Sequence, residues 1–462
     1  MSVHLPTAEM VELTKKTKII DDLLGGTATM RKAAQTYLFQ MEMEEPDSYR
    51  KRLERSTLYP ALSETLSQMT GRVFFNPIDV ADVTETVQAL FDDVDLVGNN
   101  LDVFASRWFY SALAYGCSFA LIDFTRVEAV KNRAEEKALN ARPYWVHIKP
   151  HQVLGMKTAR VNGKQAITQF RYVVNEQVED GEFGVKTVKH VYVYEIGKVR
   201  KFSEAEGEFR FESELQLTAQ NRPLDFVPVV PFITKRNELT NAIEPPLMEL
   251  AYLNIKHWSS QSDQDNITNT ARVPLLAVFS NEEVNKLVIG GSAVHLPTGS
   301  SMQFVEHSGQ AIEAGMASLK DLEEQMKTAG AKLLTKTALA MTDSQARDEA
   351  GKEISQLRLL ANRFEDAIDL ALEYTGHWLG IAKEQVGNVQ ISGNIENDLD
   401  PAASMASVIQ LRNAGVISNQ STFDEAKRRG LLADGLEWET EQERLQSEGM
   451  HFDLEETSET NA

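Results

Sequence analysis

The sequence contains one cysteine, Cys117, so no internal disulfide can form and nothing requires an oxidising compartment. Glycine and proline are sparse, at 26 and 14 residues in 462, which excludes collagen-like and low-complexity classes. Positive charge is also short: Lys+Arg 47 stand against Asp+Glu 68, a net charge of −21. Tight binding of nucleic acid over the whole surface needs clustered cations, so that mode is excluded, while sliding contact is not. No run of 18 apolar residues occurs, so no membrane span and no membrane partner is expected. The opening MSVHLPTAEMVELTKKTK has no apolar core of a secretion signal. The expectation is a chain made and acting in a cytoplasm, or in something assembled there. Hydrophobic residues at 42% supply a substantial core, and the length suits about three domains or one large irregular one.

The first third reads as helical. Apolar residues recur at three- and four-residue spacing over Met30 to Phe39, Tyr49 to Gly71 and Val80 to Val94, with Pro60 splitting the second stretch. Asp102 to Tyr115 predicts a helix ended by Gly116, and Cys117 to Phe124 a strand. The period then changes. Pro143 to Ile148, Ile167 to Val174, Lys189 to Glu195 and Glu208 to Glu214 read as an antiparallel meander, and Val227 to Ile233, with two prolines, as an edge strand.

Helical patterning returns after Pro245-Pro246 and runs to about Thr270. Val273 to Phe279, Lys286 to Ile289 and Met302 to Val305 read as short strands, and a helix begins near Glu313. Thr335 to Ala350 reads as a mobile link. Ile354 to Gln385 keeps a 3–4 repeat, a helix on the order of 45 Å at 1.5 Å per residue. Val389 to Ser392 adds a strand, Ser404 to Arg412 and Thr422 to Arg429 two short helices, and the acidic end, rich in glutamate from Glu437 on, reads as frayed. The fold class expected is α+β.

Catalytic signatures are missing. The Gly-Lys pairs at Gly163, Gly197 and Gly351 have Thr158, Tyr192 and Ala346 where a phosphate-binding loop needs glycine. No H-E-x-x-H occurs, and Pro150 lies between His147 and His151, which read as a strand and a turn residue. No G-x-S-x-G elbow is present. Cys117 sits in an apolar run and reads as a buried small hydrophobe. Asp92, Asp93 and Asp95 lack the glycine and bidentate glutamate of a calcium loop and read as a solvated helix end. Lys320, Lys327, Lys332 and Lys336 lie along and just beyond one helix; they read as a solvated face or, with many copies around a channel, as a sparse positive ring. Trp258, Met326, Phe364 and Trp378 read as core or subunit interface. No metal, cofactor or catalytic residue is expected, and an acidic chain with long helices and no active site reads as a building part of an oligomer.

Three strings carry a resemblance: YRKRLERSTLYPALSETLSQMTGRVFFNP (Tyr49 to Pro77), PYWVHIKPHQVLG (Pro143 to Gly155) and PFITKRNELTNAIEPPLMELAYLNIKHWSSQSDQDNITNTARVPLLAVF (Pro231 to Phe279). With the order helix, small β insert, helix, link, long helix, they make the chain resemble the portal proteins of tailed bacteriophages over about Tyr49 to Gly430. The resemblance implies a wing over 1–240, a first stem helix over 241–270, a clip over 271–312, a second stem helix over 313–334, a tunnel loop over 335–350, a long wing helix with a returning strand over 351–397, and a crown with an acidic tail over 398–462. It places Thr335, Lys336, Thr337, Met341, Thr342, Asp343, Ser344 and Gln345 at the DNA channel, Lys320, Lys327 and Lys332 on the stem facing it, and Asn281, Glu282, Glu283, Lys286, His295 and Thr298 on the clip for partner docking. It implies a ring of about twelve copies, viral double-stranded DNA in transient, sequence-independent contact, a large terminase, a head-completion or adaptor protein, and the major capsid protein with scaffold. The location implied is the portal vertex of the virion, reached from the host cytoplasm.

Two other classes remain. One is another structural ring of the virion neck. The other is an enzyme with a site in the β-rich stretch, where Glu195 and Glu208 could act as an acid/base pair if they converged.

Overall fold

The computed structural model describes residues 2–125, 141–161, 163–272, 275–279, 299–305, 309–334, 336–337, 354–393, 401–428, 431–433 and 435–447. The fold is α+β with antiparallel strand pairing. It opens with α1 (Ala8–Leu24), α2 (Gly26–Ala33), α3 (Pro46–Arg55) and α4 (Ala61–Val73). Pro60 sits just ahead of α4, where its missing N–H costs nothing. The stretch predicted as a helix over 80–94 divides instead into β1 (Asp79–Val83) and a single turn α5 (Glu85–Gln88). The physical reason lies far along the chain: β1 pairs with β16 (Val386–Gln390), and that ladder outweighs local helical spacing.

α6 (Leu101–Tyr115) begins with the Asn100 side chain accepting from Val103 N–H and ends at Gly116, whose φ of 87° is left-handed. A Cβ there would also lie 2.8 Å from the Glu244 carbonyl, so only glycine allows the turn straight into β2 (Cys117–Phe124). β2 is the centre of a three-stranded sheet between β3 (Pro143–Ile148) and β11 (Val229–Ile233). β11 is an edge, as Pro231 within it requires. β3 therefore leaves the predicted meander. The meander proper is β4 (Val153–Val161), β5 (Lys164–Asp180), β6 (Gly184–Glu195), β7 (Lys198–Ala205) and β8 (Glu208–Gln216), neighbours in that order. β7 is mainly polar and β4 carries no regular alternation, so the ladders with their neighbours, more than their own patterning, make them strands.

Beyond the two-residue strands β9 (Thr218–Ala219) and β10 (Arg222–Pro223), α7 (Met248–Ala271) and α8 (Gln310–Ala331) flank β12 (Leu275–Phe279) and β13 (Ser301–Val305), which pair with each other. Lys286 to Ile289, read as a strand, lies outside the described residues. β14 (Lys336–Thr337) and β15 (Ile354–Ser355) then form a two-residue ladder, so the start of the segment read as a mobile link lies beside residues just past its end. The interior of that segment lies outside the described residues.

α9 (Gln356–Leu379) is shorter than its pattern predicted. It has 24 residues, about 36 Å, and α7 equals it. Ser355 caps its start and Gly380, at φ 71°, ends it, with Ile381 N–H turning back to the Gly376 carbonyl. Its inner face forms the centre of the core. Phe364 meets Phe74, Trp108, Phe109 and Phe232 with ring centroids 4.8–6.0 Å apart. Its flank holds β16: Asp369 Oδ1 accepts from Val389 N–H and Glu365 Oε1 from Ile391 N–H, each at 2.7 Å. Burial raises the pKa of both carboxyls.

Asp369→Ala orphans a strand N–H and is expected to cost about 1–3 kcal/mol. Asp369→Asn keeps an acceptor and removes a half-desolvated charge, so it should be nearly neutral. Urea unfolding compares the two, and equal losses would show that Asp369 does not hold the strand. α10 (Pro401–Asn413), α11 (Asn419–Arg428) and α12 (Trp438–Ser447) complete the chain. The acidic end read as frayed thus contains a helix, with Trp438 against Phe423 at 5.4 Å.

Candidate functional site

The strongest candidate is the pair α7 and α8. Three contacts fix their direction. Gln264 Nε2 donates to the Ile312 carbonyl at 2.9 Å, a Cβ on Gly315 would overlap the Gln264 amide, and His257 Nε2 lies 3.7 Å from Glu323. Residue numbers rise on one helix as they fall on the other, so the helices are antiparallel. Gly315 is where the axes come close.

The near end of the pair is anchored. α7 packs on α1, α3 and α4. Trp258 and Met326 are buried, as expected. Asn254 accepts from Leu62 N–H and donates to the Tyr59 carbonyl, fixing α7 to the start of α4. Arg52, 4% exposed, meets Glu44 at 2.7 Å and Asp263 at 3.2 Å. The far end is open. Asp265, Asn266, Ile267, Asn269, Gln310 and Glu313 are exposed, and exposed apolar residues continue through Met316, Phe279 and Met302. Large apolar side chains are thus exposed along this end of the pair.

Lys320, Lys327 and Lys332 are exposed, with Lys327 held by Glu324 at 3.0 Å. That carboxylate's hydrogen bond, and then its charge, raise the lysine's pKa. α8 carries Glu313, Asp321, Glu323 and Glu324 against Lys320 and Lys327. Its outward face is a mixed surface that leans acidic, which would let a phosphate backbone pass without holding it. Of the residues assigned to the channel, Lys336 and Thr337 lie in β14; Thr335, Met341, Thr342, Asp343, Ser344 and Gln345 lie outside the described residues, as do Asn281, Glu282, Glu283, Lys286, His295 and Thr298.

The β-rich stretch does not assemble the proposed carboxylate pair. Glu195 pairs with Lys198 at one end of β7 and Glu208 with Ala205 at the other, about 23 Å apart at 3.3 Å per residue. Glu195 is neutralised by Arg200 at 3.1 Å and accepts from Gln169. A cluster that the sequence did not announce lies nearby. His190 Nδ1 is 2.7 Å from Ser203 Oγ and His190 Nε2 is 3.2 Å from Glu176. Ser203 donates to Glu212, which also meets Lys201 at 3.2 Å. The Ser-His-Glu composition invites a nucleophile reading, but the hydroxyl's proton is already directed to Glu212. Both ring nitrogens are engaged, so neither is left as the base. Its bonds tie four strands of the sheet together.

Cys117 is fully buried, and burial pushes its thiol up to about 12, as an inert core residue requires. Asp93 and Asp95 accept from the N–H groups of Gly98, Val97 and Asn99, so they build a turn. Among the described residues, no group of three or more metal-capable side chains converges. Among them, no helix is long and apolar enough to cross a membrane.

Comparison with known proteins gives one family match. The family described as "Domain of unknown function (DUF4055)" aligns with residues 246–379, from the start of α7 to the end of α9. No curated protein matches the chain. Among solved structures, the chain is similar to a component of the virion of a native gene transfer agent particle, at 11% identity and a TM-score of 0.38, covering 87% of this chain and 98% of that one. It is also similar to a chain from the neck of the empty particle computed with C6 symmetry, at 12% identity and a TM-score of 0.40, covering 81% and 90%. A third similar chain comes from the neck of the native particle computed with C12 symmetry, at 12% identity and a TM-score of 0.40, covering 89% and 99%.

Proposed function

We propose that the chain is a structural subunit of a portal-type ring at one vertex of a phage-like capsid, and not an enzyme. One observation carries the reading. An antiparallel helix pair, α7 and α8, is anchored at one end, open at the other, and encloses a small β hairpin. The long helix α9 follows it at the centre of the core. In this reading α7 and α8 are the stem, β12 and β13 belong to the clip, and the body built around α9 is the wing. The segment 335–350 is the tunnel loop in this reading.

The charge supports a conduit. About twelve copies at −21 carry of order −250, and a lumen sharing that charge repels phosphates, so DNA slides rather than sticks. The exposed apolar residues on the open end of the stem fit a heterologous contact that closes into a ring. Partners in this reading are further copies of the chain, double-stranded DNA, a large terminase during packaging, and an adaptor protein afterwards. Capsid protein and scaffold surround the wing.

Native mass spectrometry and imaging of the purified full chain test the reading. A ring of about twelve subunits with a central hole is expected, and a monomer at every concentration, with or without DNA, overturns it. A finer outcome concerns the stem. Charge reversal at Lys320 and Lys327 leaves the ring intact and alters DNA passage, and normal packaging by that variant removes both from the channel.

A further inference from the structure

The β5–β6 hairpin runs past the sheet that contains it. β4 stops pairing with β5 at Tyr172, and β7 stops pairing with β6 at His190. From Asn175 to Lys189 the two strands therefore pair only with each other, a ribbon about 20 Å long at 3.3 Å per residue. Every residue from Glu179 to Thr187 is exposed. A lone two-stranded ribbon is marginal in water, and this one ends in an apolar tip, with Phe183 91% and Val185 65% exposed. Glu179, Asp180 and Glu182 surround that tip, and only Lys186 answers them, 3.6 Å from Asp180. The ribbon's end is an aromatic plug with an anionic collar.

A complementary surface lies elsewhere on the chain. Between α4, α6 and the end of β3 is a cleft of about 690 Å³. Arg107 and Lys149, both exposed, are among its lining residues, and Tyr110 and Tyr115 form its wall, with the Tyr115 hydroxyl donating to Asp21 behind it at 2.8 Å; among the described residues no carboxylate lines the cleft itself. That is unusual on a chain with 68 acidic residues against 47 basic ones. Two wall hydroxyls, Thr70 Oγ1 and Ser111 Oγ, are buried without a hydrogen-bond partner. A cleft of this size takes an aromatic ring with flanking polar atoms.

We propose that the Phe183 tip of one copy docks into the Arg107–Lys149 cleft of the neighbouring copy. The ring enters the aromatic walls, and the Glu179, Asp180 and Glu182 carboxylates face the guanidinium and ammonium at the rim. The occupant is a second copy because the aromatic, anionic tip matches the aromatic walls and cationic rim of the cleft, and in its own chain that tip is exposed rather than seated there. Arm and cleft are different patches, so the contact is heterologous, the type that generates a closed ring. The proposal rests on the ring reading above.

The test is cross-linking in the full chain. Thr187→Cys and Ser106→Cys place one thiol on the ribbon just behind the intact Phe183 tip and one in the cleft, and the only native thiol, Cys117, is buried. A short bismaleimide should give a ladder of chain multiples on a denaturing gel. Arg107→Glu with Lys149→Glu in that background should cut the cross-linked fraction at least tenfold, and added salt should weaken it. Native mass and amide hydrogen exchange over residues 175–189 are read on the wild type in parallel. A ring whose ribbon amides are protected, with a ladder, supports the docking. A ring without a ladder, whose ribbon exchanges as fast as in a dissociated chain, overturns the docking and leaves the ring standing. A monomer in every condition overturns the ring reading, and the docking of a second copy with it.

Discussion

Replacing Trp378 with alanine should lower the unfolding free energy by about 3–5 kcal/mol. The indole is 7% exposed at the last turn of α9, tilted against Phe124 with centroids 5.8 Å apart. Its Nε1 donates to the Ile122 carbonyl of β2 at 3.0 Å. One turn earlier, Thr375 Oγ1 accepts from Trp145 Nε1 of β3 at 2.9 Å. The end of α9 is thus bonded to two strands of the central sheet, and alanine would leave both a cavity and an orphaned carbonyl.

Trp378→Phe separates the two terms. It keeps most of the apolar volume and loses the donor, so a loss of about 1–2 kcal/mol is expected. Trp258→Phe is the control, because Trp258 is fully buried but its Nε1 has no partner, so only packing changes. Urea unfolding at neutral pH reads all three. Equal losses for Trp378→Phe and Trp258→Phe would show that the bond to Ile122 adds nothing.

The sequence reveals those elements whose signals are local. Gly116 ends α6 where it should, Pro231 places β11 at an edge, and Pro245-Pro246 just precedes α7. The apolar repeat through Trp378 and Ala382 predicts a helix running past Gly380, but a left-handed glycine stops a helix whatever the pattern beyond it. α1 also carries a local signal, with Met10, Leu13, Thr17, Ile20 and Leu23 spaced as one buried face. β1 is a strand by virtue of a partner about 300 residues away, β7 is mainly polar, and β4 has no regular alternation, so local spacing does not mark them.

The candidate site divides the same way. The paired helices and their buried residues follow from periodicity. The acidic balance of α8, the Lys327–Glu324 pair, the His190 cluster and the separation of Glu195 from Glu208 depend on which faces meet, and spacing along a chain does not carry that.

Acid should weaken the fold through His147. Its ring lies on β3, and Nε2 is 2.8 Å from Ser118 Oγ. Burial, and then the positive charges of Lys149 and Arg107, bring its pKa down to about 4. The unfolded side chain titrates near 6.5. The folded state therefore binds this proton more weakly than the unfolded state. The stability contributed by neutral His147 is complete above about pH 6.5 and is lost as pH falls toward 4, a change of about 3 kcal/mol at most. His151 and His257, also lowered by burial, push in the same direction. Glu365 and Asp369, raised by burial, push in the opposite one, because their folded forms hold protons more tightly. A single acid titration would mix all of these, so the informative quantity is a difference. His147→Gln keeps a partner for Ser118 and cannot ionise, and its unfolding free energy at pH 7 and pH 4.5 should fall less than the wild type's by about 2–3 kcal/mol. Parallel pH profiles for the two chains would mean that the imidazole takes up its proton without penalty, and that water reaches it through the cleft beside Arg107 and Lys149.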